Sequence, residues 1–298
     1  MKEDENFSVL LFFIDGLGIG ERSGDNPLAQ IENLEPLAQF KNEFPKIIYD
    51  GILIPTDPRL GIEGRPQSAS GQTTILTGIN APQILGNHKQ GFPNQALRDV
   101  IDEHSIFLQL KNRNIAPNVF ANAYTPKFFS ETPRWKSATT CAMEAANEQF
   151  RRLSDLLGRS ALFHDYTNKS LIEMGFDVPP FSPREAGEIL AGLTASHRFT
   201  LYEYFITDKI GHAQSFEKAA EYLPSLAEFV RESVRQIDLE KTTVILTSDH
   251  GNIENLSIRT HTLNDVPTIV WGRSRFEIAE SIKDLSDITP TILRLLSE

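Results

Sequence analysis

Ser8-Val9-Leu10-Leu11-Phe12-Phe13-Ile14-Asp15-Gly16 is an apolar run closed by an acid and a glycine. With no polar alternation, it suits a strand buried on both faces of a parallel sheet. Thr243 to Ser248 has the same form and runs into Asp249, while Thr200 to Ile206 stops just short of Asp208. Asn118 to Ala121 and Thr268 to Trp271 are shorter candidates. Between them lie helical patterns at Arg98 to Lys111, Thr139 to Leu157, Pro183 to Ser196, Phe216 to Gln236 and Ile288 to Leu296. Ser182 before Pro183 reads as an N-cap with proline at the first helical position. Strands alternating with helices predict an α/β fold, a doubly wound and mainly parallel sheet flanked by helices. Ligands of such sheets bind beyond the carboxyl ends of the strands, so three strands that each end in an acid would bring three carboxylates to one rim.

The 298 residues, 40% hydrophobic, suffice for one large catalytic domain spanning 1–298. The stretch 125–181, rich in Pro, Phe and polar residues, is expected to be a small cap inserted into it. A net charge of −11 argues against a nucleic-acid or anionic-membrane partner, and leaves a small anionic substrate to be attracted locally, as bound divalent ions would do. Cys141 is the sole cysteine, so any metal must take O and N ligands. The acidic start Met1 to Asn6 and the short apolar run after it predict a cytoplasmic location. Oligomeric state is not readable.

Asp208-Lys209-Ile210-Gly211-His212 places a carboxylate and an imidazole four apart, on one face if the segment is helical. Taken alone, this is equally a surface pair. Ser248-Asp249-His250-Gly251-Asn252 sets Asp and His at a buried strand end, where the alternatives are a ligand pair and a turn with a capping Asp. His261 lies in Arg259-Thr260-His261-Thr262, otherwise an ordinary loop. Gly16-Leu17-Gly18-Ile19-Gly20-Glu21 fails the dinucleotide pattern G-x-G-x-x-G at Glu21, so Gly16 is better explained as a sharp turn that leaves Asp15 open. Ser68-Ala69-Ser70-Gly71-Gln72-Thr73-Thr74-Ile75-Leu76-Thr77-Gly78 is a small-residue stretch entering a helix, either a capped start or an anion site.

Together these segments resemble the alkaline phosphatase superfamily, nearest its cofactor-independent phosphoglycerate mutase and phosphopentomutase branch. The matching motifs are Asp15-Gly16, Ser68 before Thr77-Gly78, Asp208 to His212, Asp249 to Asn252 and His261-Thr262, in the family's order. Asp25-Asn26 and Asp287 to Leu293 also match the mutase branch, whereas nothing matches 125–181. The resemblance implies two divalent ions, Zn²⁺ or Mn²⁺, one among Asp15, Ser68, Asp249 and His250 and the other among Asp208, His212 and His261. It implies Ser68 as nucleophile, with Ser70 and Thr73 as rivals. Lys209, His88 and Arg65 are candidate substrate contacts, followed by Lys89, Lys127, Arg134 and Lys136.

The expected function is a phosphatase or phosphodiesterase working through a phosphoserine at Ser68 on a small phosphorylated substrate. Too few residues separate Gly78 from Asp208 for the mutases' large substrate domain, so a phosphomutase is the alternative. A sulfatase is disfavoured because Cys/Ser-x-Pro-x-Arg is replaced by Ser68 to Gln72. A non-catalytic metal-binding protein is a third possibility, set against by the seven filled positions.

Overall fold

The computed structural model describes residues 7–43, 46–131 and 135–297, so Met1 to Asn6 and Arg134 lie outside the described residues. Its strands are β1 Ser8–Ile14, β2 Ile47–Ile48, β3 Gly51–Thr56, β4 Asn118–Phe120, β5 Ala123–Tyr124, β6 Arg151–Arg152, β7 Phe199–Tyr204, β8 Thr242–Thr247 and β9 Val266–Trp271. The main sheet runs β2-β3-β9-β8-β1-β7-β4, and β5 pairs with β6 separately. Strands β4, β7, β1 and β8 are mutually parallel. Antiparallel pairings then attach β9, β3 and β2. The expected α/β fold with a mainly parallel centre is thus present, extended by a mixed edge. A strand buried on both faces looks the same whichever way its neighbour runs, which is why the edge was not legible.

β1 is buried along its whole length, and its side chains alternate between the two layers that flank the sheet. Leu10, Phe12 and Ile14 join one core with helices Pro183–Ser196 and Phe216–Gln236. Val9, Leu11 and Phe13 join the other, with Ser68–Thr77, Gln95–His104, Ala138–Ala146 and Ile288–Ser297. The fold is therefore a three-layer sandwich.

Two expected helices are each broken. Arg98 to Lys111 divides at Ser105, whose extended backbone ends Gln95–His104 while its hydroxyl accepts from Leu108 N at 3.2 Å to begin Ile106–Asn112. Thr139 to Leu157 stops at Asn147, which is left-handed at φ 55°, and resumes only as the short helix Leu153–Leu157. Both breaks use polar residues that satisfy helix ends, a local signal that apolar periodicity overrides. Ser182 does cap its helix, accepting from Glu185 N and completing a capping box. Within 125–181, Ala138 to Ala146 sits in one core layer and Leu156 to Phe181 in the other. Among the described residues no helix is long and apolar enough to cross a membrane.

Candidate metal centre

β1 and β8 run in register with Phe13 beside Thr247, so the chain leaving each strand brings Asp15 next to Asp249 at one rim. Asp208 reaches the same rim differently from expectation. It lies not at the end of β7 but in the first turn of the helix Ile206–Ala213, with His212 one turn later. Gly16 makes this approach possible: it is left-handed at φ +75°, and a Cβ there would lie 2.9 Å from Asp208 Cα. Opposite, the helix Ser68–Thr77 starts with Ser68, so the hydroxyl sits at the positive end of the helix dipole. Gly71 lets this helix close on the strand end, since a Cβ would sit 3.0 Å from Asp249 Cβ.

Ser68 Oγ is 3.0 Å from His250 Nε2. The same nitrogen lies 3.3 Å from Asp15 Oδ1 and 3.5 Å from Asp249 Oδ2. His212 and His261 approach with their Nε2 atoms 3.1 Å apart, and Asp208 is 3.4 Å from the first and 3.5 Å from the second. All seven residues singled out in the sequence therefore converge. Their grouping is tighter than the sequence division. Asp208 belongs both with His212 and His261 and with Asp15 and His250, while Asp249 stands just behind.

The donor chemistry fits divalent ions. His261 Nδ1 is 2.8 Å from Pro66 O, and His212 Nδ1 is 2.8 Å from Arg259 O. A neutral ring must donate to such a carbonyl, which leaves a bare lone pair on Nε2. Two bare nitrogens and a carboxylate thus face one another with no proton to share, a repulsive arrangement that a cation between them relieves. Asp15 Oδ1, Asp249 Oδ1 and His250 Nδ1 are buried without a hydrogen-bond partner. Burial first, then the charges of Asp249 and Asp208, holds the Asp15 carboxyl well above its ordinary range. Burial and Asp208 push Asp249 the same way. Burial and the neighbouring His261 hold His250 neutral, the form in which imidazole binds metal.

Three residues not assigned from the sequence organise the site. Gln72, one helical turn after Ser68, donates to Asp15 Oδ2 at 3.1 Å and to Asp249 Oδ2 at 3.2 Å, clamping the two carboxylates. Asn252 donates to Asp208 Oδ1 at 2.7 Å. Glu254 is buried beneath the loops, accepting from Gly18 N, Asn252 N, Thr262 Oγ1 and Asn264 Nδ2. The i, i+4 spacing of Ser68 and Gln72 was the available signal for the first. Among the described residues, Lys209 is the one candidate substrate contact that lines the cavity opening beside Ser68. His88 instead faces Ile62 O at 3.3 Å, and Arg65 donates to His261 O at 2.8 Å, bracing a loop.

An α/β sheet with acids and imidazoles gathered at its carboxyl rim is the architecture of a metalloenzyme, and sequence comparison agrees. The chain belongs to the metalloenzyme superfamily, whose family description matches residues 8–297. The 2,3-bisphosphoglycerate-independent phosphoglycerate mutase of Clostridium botulinum is 32% identical over 97 residues, 30% of this chain and 19% of that protein. The chain thus matches about a fifth of that relative's length. Among solved structures, the PH0037 protein from Pyrococcus horikoshii superposes with a TM-score of 0.54 at 12% identity, over 98% of this chain and 97% of the other. A cold-active alkaline phosphatase from the psychrophile Shewanella sp. gives 0.51 at 12% identity, over 97% and 99%. At such identity the likeness establishes the alkaline phosphatase-like fold. Members of the superfamily are metal-dependent enzymes acting on phosphate or sulfate esters.

Proposed function

We propose that this chain is a two-metal phosphatase that forms a phosphoserine at Ser68 on a small phosphorylated substrate. The observation that carries the reading is a helix-start hydroxyl 3.0 Å from His250 Nε2, at the edge of a buried set of carboxylates and imidazoles. Asp15, Asp208, Asp249, His212, His250, His261 and Ser68 would hold two divalent ions, Zn²⁺ or Mn²⁺ suiting these O and N donors. Ions bound there supply Lewis acidity, lowering the hydroxyl's pKa and neutralising charge on the phosphoryl oxygens. Ser68 Oγ gives up its proton to solvent and bonds to phosphorus as the ester P–O bond breaks, and the departing alkoxide takes a proton from water. Water then cleaves the phosphoserine, restoring Ser68 and releasing inorganic phosphate. The positive end of the helix Ser68–Thr77 favours the anionic phosphoryl group at this position. The lone Cys141 accords with a cytoplasmic setting.

A phosphomutase is the second reading, favoured by the match to phosphoglycerate mutase. It differs only in the acceptor, a second substrate hydroxyl in place of water. Metal-loaded protein incubated with phosphomonoesters, phosphodiesters and glycerate phosphates separates the two: free phosphate supports the phosphatase, isomer without free phosphate the mutase. Ser68→Ala is expected to keep its metals and lose nearly all turnover. Full activity in that variant would remove Ser68 from the mechanism.

A further inference from the structure

The cavity beside Ser68 encloses about 510 Å³, with Asp15, Gln72 and Asp208 on its wall. This is far more space than a phosphoryl group needs. The wall away from the carboxylates is built of rings. Tyr124 packs on Phe128 at 4.1 Å between ring centres and on Phe120 at 6.2 Å. On the same cavity His164 lies between Phe163 and Phe205, at 4.1 and 4.2 Å. Burial, with Lys209's charge, holds His164 down to about 3, so it acts as a neutral ring. Phe92 lines the same cavity while 46% exposed, and stacks on the 57% exposed Trp135 at 6.2 Å.

Several polar groups of this wall are engaged with one another, while His164 Nδ1 is buried without a partner. Tyr124 Oη pairs with Thr140 Oγ1 at 2.9 Å, and Thr140 with Ser137 at 2.9 Å. Asn122 donates to Glu203 O at 2.7 Å and accepts from Glu203 N at 3.0 Å, while Glu203 Oε2 accepts from Thr139 at 2.8 Å. A polyhydroxylated group facing Asn122, Tyr124, Ser137 and Thr140 would have to give up water for partners already taken. An apolar ring loses nothing by the same transfer and gains contact with the aromatic walls.

We infer that the substrate is a phosphomonoester of an aromatic alcohol, held with its phosphoryl group at Ser68 and its ring between the Tyr124–Phe128 and Phe163–Phe205 walls. This rests on the phosphatase reading of the same site. The test pairs compounds of equal reactivity that differ only in the ring, 2-phenylethyl phosphate against ethyl phosphate for turnover, and the matching phosphonates for binding to metal-loaded protein by calorimetry. The phenylethyl phosphonate is expected to bind at least about tenfold more tightly. Phe128→Ala and the exposed Phe92→Ala should each narrow that ratio, whereas Phe276→Ala, exposed and outside the cavity wall, should not. A ratio below about twofold, or one unmoved by both cavity variants, overturns the aromatic-substrate inference. Absence of turnover with every phosphomonoester, alongside a preserved affinity ratio, sinks the phosphatase reading and leaves the ring preference standing.

Discussion

Glu254 is the perturbation on which the architecture of the centre makes its sharpest claim. Its two oxygens accept four hydrogen bonds: Gly18 N at 3.1 Å, Asn252 N at 2.8 Å, Thr262 Oγ1 at 2.5 Å and Asn264 Nδ2 at 2.9 Å. These donors come from the three loops that carry Asp15, Asp249 with His250, and His261. Glu254→Ala leaves three buried donors and the half-buried Asn264 without an acceptor, at about 1–3 kcal/mol for each buried one before relaxation. Water entering the vacated space and relief of the buried carboxylate's own desolvation reduce the net loss to about 3–5 kcal/mol. Glu254→Gln keeps one oxygen and two of the bonds, so about half that loss is expected. Because the loops position ligands, metal affinity should fall about 10–100-fold in the alanine variant. Urea denaturation of chelator-treated protein gives the first quantity and competition with a chromogenic chelator the second. Were Glu254→Ala to lose under about 1 kcal/mol and bind metal normally, the carboxylate would not be what joins the loops.

Gln72→Leu removes the clamp on Asp15 and Asp249 without changing the charge. Metal affinity should drop about tenfold while the circular dichroism spectrum stays unchanged, and wild-type affinity would show that the clamp is dispensable. Glu203 is held up at about 7 against an ordinary 4.5 by burial, only partly offset by Thr139. A carboxyl raised on folding binds more protons in the native state, so its contribution is present below about pH 4.5 and is lost as pH rises through about 7. Over that window Glu203 alone should cost metal-free protein up to about 3 kcal/mol, added to the like-signed slope from the raised Asp15 and Asp249, so Glu203→Gln should reduce the slope by that share and be the more stable form at pH 8. Parallel urea midpoints at pH 5 and pH 8 for both forms decide it, a common slope counting against a buried Glu203.

How much of this was legible depends on whether a residue's role is carried by its neighbours in sequence or by distant chain. The strand ends at Asp15 and Asp249 were readable because an apolar run terminated by an acid is a local pattern, and the register of β1 with β8 then brings the two acids together. Asp208 was readable as a motif but misplaced by a few residues. Phe205 and Ile206 continue the apolarity of β7, yet the backbone turns at Phe205 to begin a helix. The antiparallel strand β3 (Gly51–Thr56) was passed over because its glycine and proline dilute a strand pattern that pairing with β9 enforces.

The residues missed at the centre share one physical character. Gln72 and Asn252 bond to the centre's carboxylates tens or hundreds of positions away, such as Gln72 to Asp249, and Glu254 reaches across the chain to Gly18 to join loops. Nothing in the identity of a glutamine on a small-residue helix distinguishes a clamp from a solvated side chain until the strand end arrives opposite it. Glu203 illustrates the same limit from within a strand. An acid in Phe199–Tyr204 breaks the apolar pattern, and such a break is tolerated only where a partner awaits, here Thr139 at 2.8 Å. Ligand identity is therefore written into short motifs, because each ligand must leave its strand or helix at a defined point. The support beneath the ligands and the cavity beside them are written into tertiary packing instead, which no stretch of neighbouring residues spells out.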